Sequence, residues 1–427
     1  MIVNIVDGIM GCGKTSAAIN YINASEDVKI MYITPYISEI ERIIARCKSK
    51  KFEQPRKYND NTPKTLHLKE LLNKGKNIAT THALFHNFDD EIIDLCYSQN
   101  YVLIMDEVTD VIEPYSIEKV DLDVLLDKFA TVNKETGLIE WNGQDDYNGR
   151  FREEKHLCEM GCLAMYGDSV MLWMFPVKIF NAFRESYILT YMFGAQMQKY
   201  YYDYYGIEYR YLYTDGNNQL DYHFTEECKS YISKYDYRKL INIIYDDKLN
   251  MIGDSESALS KTWYKRNENN VLLKQLKNNT LNFFNNRQII YNETSGKFEK
   301  AKSKNNIWTT FKDYKDKISG KGYAKGYIPS NMRASNAYKD RTAVAYLVNK
   351  YFNPFIKNFF ISKGIEVDED GYALSEMLQF LWRSGIREGK VITVYIPSSR
   401  MRKLLEQWIE TQNYREREID EKISSNI

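Results

Sequence analysis

Short runs of consecutive apolar and β-branched residues alternate, through the first half of the chain, with stretches in which apolar positions recur every three or four residues. MIVNIV (1–6), VKIMYITPY (28–36), KNIATTH (76–82), NYVLIMDEV (100–108) and ESYILTYMF (185–193) are of the first kind and predict buried strands. SAAINYIN (16–23), ISEIERIIARC (37–47) and DDEIIDLCYS (89–98) are of the second kind and predict helices between them. Strands that are apolar throughout are covered on both faces, and a helix after each strand supplies the crossover. The pattern therefore predicts an α/β chain built on a parallel sheet.

Beyond about residue 205 the alternation restarts with EYRYLYTD (208–215) and KLINIIYDD (239–247). A Lys/Asn-rich stretch follows from Ser260 to Lys325, then GYIPSN (326–331). TAVAYLVNKYF (342–352) and ALSEMLQFLWRSGIR (373–387) predict helices, and VITVYIP (391–397) a strand. A length of 427 residues accommodates two or three domains. The expected organisation is one parallel-sheet lobe at 1–205 and a second at 206–412. The second lobe carries a basic insertion at about 255–330, and a polar, frayed tail occupies 413–427.

Three constellations carry chemistry. DGIMGCGKTS (7–16) places Gly8, Gly13, Lys14 and Thr15 in the spacing G-x-x-x-x-G-K-[ST]. A predicted strand precedes it and a predicted helix follows, which is the context a phosphate-binding loop needs. Backbone N–H groups of Gly8, Gly11, Cys12, Gly13, Lys14, Thr15 and Ser16 would line one concavity at a helix N-terminus, where partial positive charge favours anions. Lys14 is expected on the terminal phosphates of ATP and the Thr15 hydroxyl on Mg²⁺.

In VLIMDEVTD (102–110) an apolar strand ends in two carboxylates. Asp106 is expected to hold Mg²⁺ and Glu107 to polarise an attacking water. The bland reading, acidic residues opening a solvated loop, is weakened by the phosphate loop upstream. In QFLWRSGIREGK (379–390), Gln379, Arg383 and Arg387 stand four apart, so a continuous helix would project them from one face. Planar guanidiniums suit charge developing on a transferring phosphate. A solvated basic face is the alternative.

Composition sharpens the picture in two places. Positive and negative residues balance at 58 each, yet residues 86–147 hold sixteen Asp/Glu against three Lys/Arg, and residues 261–350 hold nineteen Lys/Arg against six Asp/Glu. The basic segment keeps a polyanion partner open. Its Trp263, Tyr264, Phe283, Phe284 and Trp308 suit stacking on single strands, or equally line a helical face. Six cysteines include no C-x-x-C pair. HLCEMGC (156–162) lacks a matching second half for zinc, so reduced thiols are expected. No signal peptide is recognised and no apolar run reaches membrane-spanning length. The expected location is cytoplasmic, in the bacterial host's cytoplasm if the chain is phage-encoded.

Taken together, these stretches resemble superfamily 2 helicases, particularly the compact helicases encoded by bacteriophages. GIMGCGKT resembles motif I, YITPY motif Ia, ATTHALF motif Ib or Ic, DEVT motif II, ILTYMF motif III and QFLWRSGIR motif VI. RASNAYKDRTAVAYLVNKYFNP resembles the region before motif VI, so the likeness spans most of residues 1–410. Trp382 stands where the family usually has glycine, and either Arg383 or Arg387 is a candidate for the γ-phosphate. The resemblance implies two RecA-like lobes with ATP and Mg²⁺ between them. It also implies nucleic-acid contacts from Thr34, Pro35, Thr80, Thr81 and His82, made to phosphates rather than bases. Arg333, Asn336 and Arg341 are weaker candidates.

The function so implied is an ATP-dependent helicase or translocase in phage replication or recombination. DNA is the favoured partner over RNA, other replication proteins are further candidates, and no membrane is involved. A packaging terminase would need a nuclease with clustered carboxylates, which the second half does not offer. An ATPase switch that hydrolyses without moving differs by lacking translocation.

Overall fold

The computed structural model describes residues 2–216, 218–227, 235–286, 289–292, 297–300, 302–330 and 337–424, with 289–292, 297–300 and 413–424 described by backbone alone. The chain divides into two compact units, Met1–Cys228 with Phe352–Asp368, and Lys229–Tyr351 with Glu369–Ile427.

In the first unit the predicted strands form as β1 (Val3–Asp7), β2 (Ile30–Thr34), β4 (Asn77–Thr81) and β5 (Val102–Asp106), with a two-residue strand β3 (Phe52–Glu53) that the sequence pattern does not predict between β2 and β4. A module follows with β6 (Ile112–Pro114), β7 (Ala130–Val132), β8 (Ile139–Trp141), β9 (Leu163–Tyr166) and β10 (Val170–Met174). The chain then returns through β11 (Glu185–Thr190), β12 (Tyr209–Asp215) and β13 (His223–Thr225). Among the described residues these build an eight-stranded sheet in the order β13-β12-β1-β11-β5-β2-β4-β3. Every pairing is parallel except β12 with β13. The central strands are buried on both faces, which is why they read as unbroken apolar runs. Val6, Tyr32, Ile104 and Leu189 pack against Ala18, Ile22, Ile40 and Ile43 of the helices Lys14–Ala24 and Ile37–Arg46.

The first lobe does not end at 205. Residues 209–215, expected to open the second lobe, pair in parallel with β1 and lie in the first sheet. The helix Pro354–Ser362 belongs to the first unit as well. The module between β5 and β11 has its own antiparallel sheet, β6-β10-β9, and the hairpin β7–β8. Leu122, Leu125, Ile139, Phe151, Leu163 and Met171 form its interior. Cys158 and Cys162 are buried there, which pushes each thiol up to about 12, while His156 is exposed.

The second unit holds β14 (Ile241–Ile243), the hairpin β15 (Ile289–Asn292) and β16 (Lys297–Lys300), then β17 (Asn306–Thr309), β18 (Ala343–Tyr346) and β19 (Ile392–Tyr395). Its parallel sheet runs β14-β19-β18-β17. Two expectations are corrected. TAVAYLV, expected as a helix, is strand β18: its apolar run is buried on both faces between β17 and β19. The basic stretch is not an insertion, because β17 is a strand of the sheet and the helix Val271–Asn286 covers it. Tyr264, Phe283, Phe284 and Trp308 are core residues, between 0 and 3 % exposed, and so are not stacking platforms. Trp308 Nε1 donates to Tyr323 O at 2.8 Å. At the C-terminus the helix Ser399–Ser424 runs through most of the expected frayed tail. No helix among the described residues is long and apolar enough to cross a membrane.

Candidate functional site

Both carboxylate strands and the phosphate loop open at the carboxyl edge of the first sheet, where α/β proteins place their ligands. β1 ends at Asp7, the loop spans Gly8–Gly13, and the helix begins at Lys14. Gly11 and Gly13 have φ of +90° and +93°, in the region that favours glycine. Gly13 caps the helix, and a Cβ there would lie 2.5 Å from the Tyr222 ring. Lys14 folds back over the loop, its Nζ donating to Gly8 O and, at 3.2 Å, to Ile9 O. Those carbonyls hold the ammonium beside the concavity at the head of the helix. Thr15 and Ser16 are half-buried in its first turn.

β11 lies between β1 and β5, so the polar strand ends fall in a row. Asp7 pairs with Thr190, Leu189 with Asp106, and Ile33 with Met105, one residue short of Thr34 and Asp106. Asp7 Oδ1 and Oδ2 accept the N–H groups of Met192 at 2.8 Å and Phe193 at 2.9 Å. The start of the phosphate loop is thereby tied to the segment after β11. Burial raises the Asp7 carboxyl, against the Phe193 N–H and the Lys14 charge. Neither Asp7 nor Thr190 was singled out as functional from the sequence. Asp7 directly precedes the loop glycine, and that position was the available signal.

Asp106 is more strongly perturbed. Burial, then the adjacent Glu107 and Glu39, raise its carboxyl to about 7, opposed by Arg42 and Lys14. Arg42 and Glu39 form an ion pair of 3.0 Å on the helix Ile37–Arg46. Glu107 turns out of the strand with φ +68°, and its N–H donates to Leu189 O at 2.9 Å. A divalent cation fits this donor set. Two neighbouring carboxylates, one of them buried and raised by the other's charge, are a pair whose repulsion such an ion would relieve. Asp106 and the Thr15 hydroxyl would hold it.

The expected strand-binding residues divide. Thr34 is 0 % and Thr80 2 % exposed, so their hydroxyls are enclosed and the expectation that they contact phosphates is corrected. Pro35, Thr81 and His82 are half-buried. Thr81 Oγ1 accepts from Leu84 N at 3.4 Å, and His82 Nε2 lies 3.0 Å from Asp106 O. The segment after β4 therefore touches the acidic strand end.

In the second unit the helix Glu369–Leu381 stops before the arginines, so the three residues do not share one helical face. Ser384 Oγ accepts from Ile386 N and donates to Leu381 O, ending the helix and starting the turn Gly385–Glu388. Gln379 is half-buried on the helix. Arg383 is 4 % exposed, with Nη1 donating to Pro329 O at 3.2 Å. Arg387 is half-buried in the turn. Arg341 Nη1 donates to Asn306 O at 2.9 Å, which gives that guanidinium a structural engagement. Arg333 and Asn336 lie outside the described residues.

Comparison with known proteins places the chain beside the following families, relative and solved structure. Residues 235–409 match the YonV C-terminal Rossmann-like domain, and residues 112–173 the YonV middle domain. The second of these is the module between β5 and β11. The SPbeta prophage-derived uncharacterized protein YonV of Bacillus subtilis (strain 168) is 41% identical over 422 residues, covering 96% of this chain and 99% of that protein. A solved structure of S. tokodaii Xpd4 superimposes with a TM-score of 0.47 at 10% identity, over 95% of this chain and 94% of that one.

Proposed function

The chain belongs to the YonV family, and we propose that it is an ATP-driven motor acting on nucleic acid, a helicase or translocase of a phage replication or recombination system. The observation that carries the reading is the pairing of the Gly8–Ser16 loop with Asp106 and Glu107 on one sheet edge, with β11 interposed.

In this reading the loop N–H groups and the N-terminus of the helix Lys14–Ala24 receive the phosphates. Lys14 exchanges the carbonyls of Gly8 and Ile9 for the terminal phosphate oxygens. Thr15 and Asp106 would hold Mg²⁺, which would supply charge neutralisation on the phosphates. Glu107 accepts the proton of the attacking water. Of the second-unit candidates Gln379, Arg383 and Arg387, Arg387 is the better one for developing phosphate charge because Arg383 is buried on backbone carbonyls. Pro35, Thr81 and His82 are the surface candidates for strand phosphates.

The test is ATP hydrolysis by the purified chain, measured alone and then with single-stranded DNA, duplex DNA and RNA. Hydrolysis stimulated by one of them, and abolished by Lys14→Ala, supports the reading. Hydrolysis indifferent to all three removes nucleic acid from it.

A further inference from the structure

Three residues past Asp106, Thr109 is 2 % exposed and held from two directions. His86 Nε2 lies 2.7 Å from its hydroxyl oxygen. The Gln198 side-chain oxygen accepts its backbone N–H at 2.9 Å, and Gln198 Nε2 donates in turn to Tyr202 OH at 2.7 Å. Gln198 is fully buried in the helix Met197–Tyr205. The His86 ring is set by aromatic packing, 5.9 Å from Trp173 at an interplanar angle of 25° and 5.1 Å from Phe175. The acidic loop is thus gripped at both ends: Glu107 N–H on Leu189 O and His82 at Asp106 O on one side, His86 and Gln198 at Thr109 on the other.

Between the two grips stands Glu107 with φ +68°. A non-glycine residue keeps a left-handed backbone only where its surroundings over-determine it. We propose that His86 and Gln198 are positioning residues, which fix Thr109 and through it the left-handed setting of Glu107 required for water activation. Neither belongs to the phosphate loop, so their loss should slow the chemical step and spare nucleotide binding. This inference rests on the reading of Glu107 as the water-activating carboxylate.

The experiment compares wild type with His86→Phe, Thr109→Val and Gln198→Met in the full chain. His86→Phe keeps an aromatic ring against Trp173 and Phe175 while removing the nitrogen. Each change should lower kcat by about tenfold or more and leave KM for ATP within about twofold, the signature of an interaction used in the transition state. His86→Phe with Thr109→Val should fall no further than either alone, since both break one contact. In a Glu107→Gln background His86→Phe should add nothing. Additive losses, a further loss in that background, or a fall in kcat accompanied by a rise in KM and a loss of thermal stability would each overturn the proposal. Wild-type hydrolysis that ignores nucleic acid defeats the motor reading, and the basal kcat–KM split still decides this one. A wild type without hydrolysis defeats both.

Discussion

Replacing Glu107 by glycine should leave the protein more stable than replacing it by alanine, while either change ends turnover. At φ +68° any side chain with a Cβ meets a penalty of about 1–2 kcal/mol, and glycine meets none. Against this, glycine gives the unfolded chain more freedom, a loss of about 0.5–1 kcal/mol relative to alanine. The balance favours Glu107→Gly over Glu107→Ala by about 0.5–1 kcal/mol. Both variants also remove the negative charge that helps raise Asp106, so their comparison isolates the backbone term. For a unit of this size the difference is a shift of roughly 1–4 °C in Tm. Thermal unfolding of the two variants, with ATPase rates alongside, is the assay. Alanine equal to or better than glycine would refute the strain argument. Turnover by either variant near the wild-type rate would refute the role of Glu107.

Asp106 gives a pH prediction. Its folded pKa is raised to about 7 from an ordinary value near 4, so its contribution to stability is fully present at acid pH and is lost as pH rises through about 7. Wild type without metal should therefore lose stability relative to Asp106→Asn between about pH 4 and 7, by a few kcal/mol at most, in parallel urea titrations; parallel curves contradict the raised pKa. Trp308→Ala should cost about 3–5 kcal/mol, because a buried core side chain is removed. Strand affinity of the molecules that remain folded should be unchanged in fluorescence anisotropy. Arg383→Ala should lower stability by about 1–3 kcal/mol, by stranding carbonyls its guanidinium now satisfies. Arg387→Ala should stay within about 0.5 kcal/mol of wild type yet lose at least tenfold in turnover, with nucleotide affinity within about tenfold, as read by calorimetry and steady-state kinetics.

The first sheet was legible because its chemistry is local. β1, its loop and the following helix are contiguous, and a strand apolar on both faces announces itself over five residues. What the sequence hid depends on pairing between distant segments. EYRYLYTD looks the same whether it starts a new sheet or joins the edge of an old one, and only its register with Val3–Val6 decides. TAVAYLV is short and apolar, a pattern that a buried strand and a buried helix share. The Lys/Asn-rich stretch reads as an insertion because most of its described charges are exposed, while Tyr264, Phe283, Phe284 and Trp308 between them face the core. Spacing alone placed Gln379, Arg383 and Arg387 on one face, but Ser384 and Gly385 end the helix before that geometry is reached. Asp7 shows only its place before Gly8 in the sequence, because its partners, the N–H groups of Met192 and Phe193, lie nearly two hundred residues away.

Motion on a strand is the central claim, and displacement of streptavidin from the end of a biotinylated single strand measures it directly. The chain with ATP and Mg²⁺ should displace streptavidin from one end of the strand. Displacement should cease in Glu107→Gln, which retains nucleotide and strand binding. A chain that binds the strand and hydrolyses ATP on it, yet displaces streptavidin from neither end at any ATP concentration, contradicts the motor and leaves a strand-sensing ATPase.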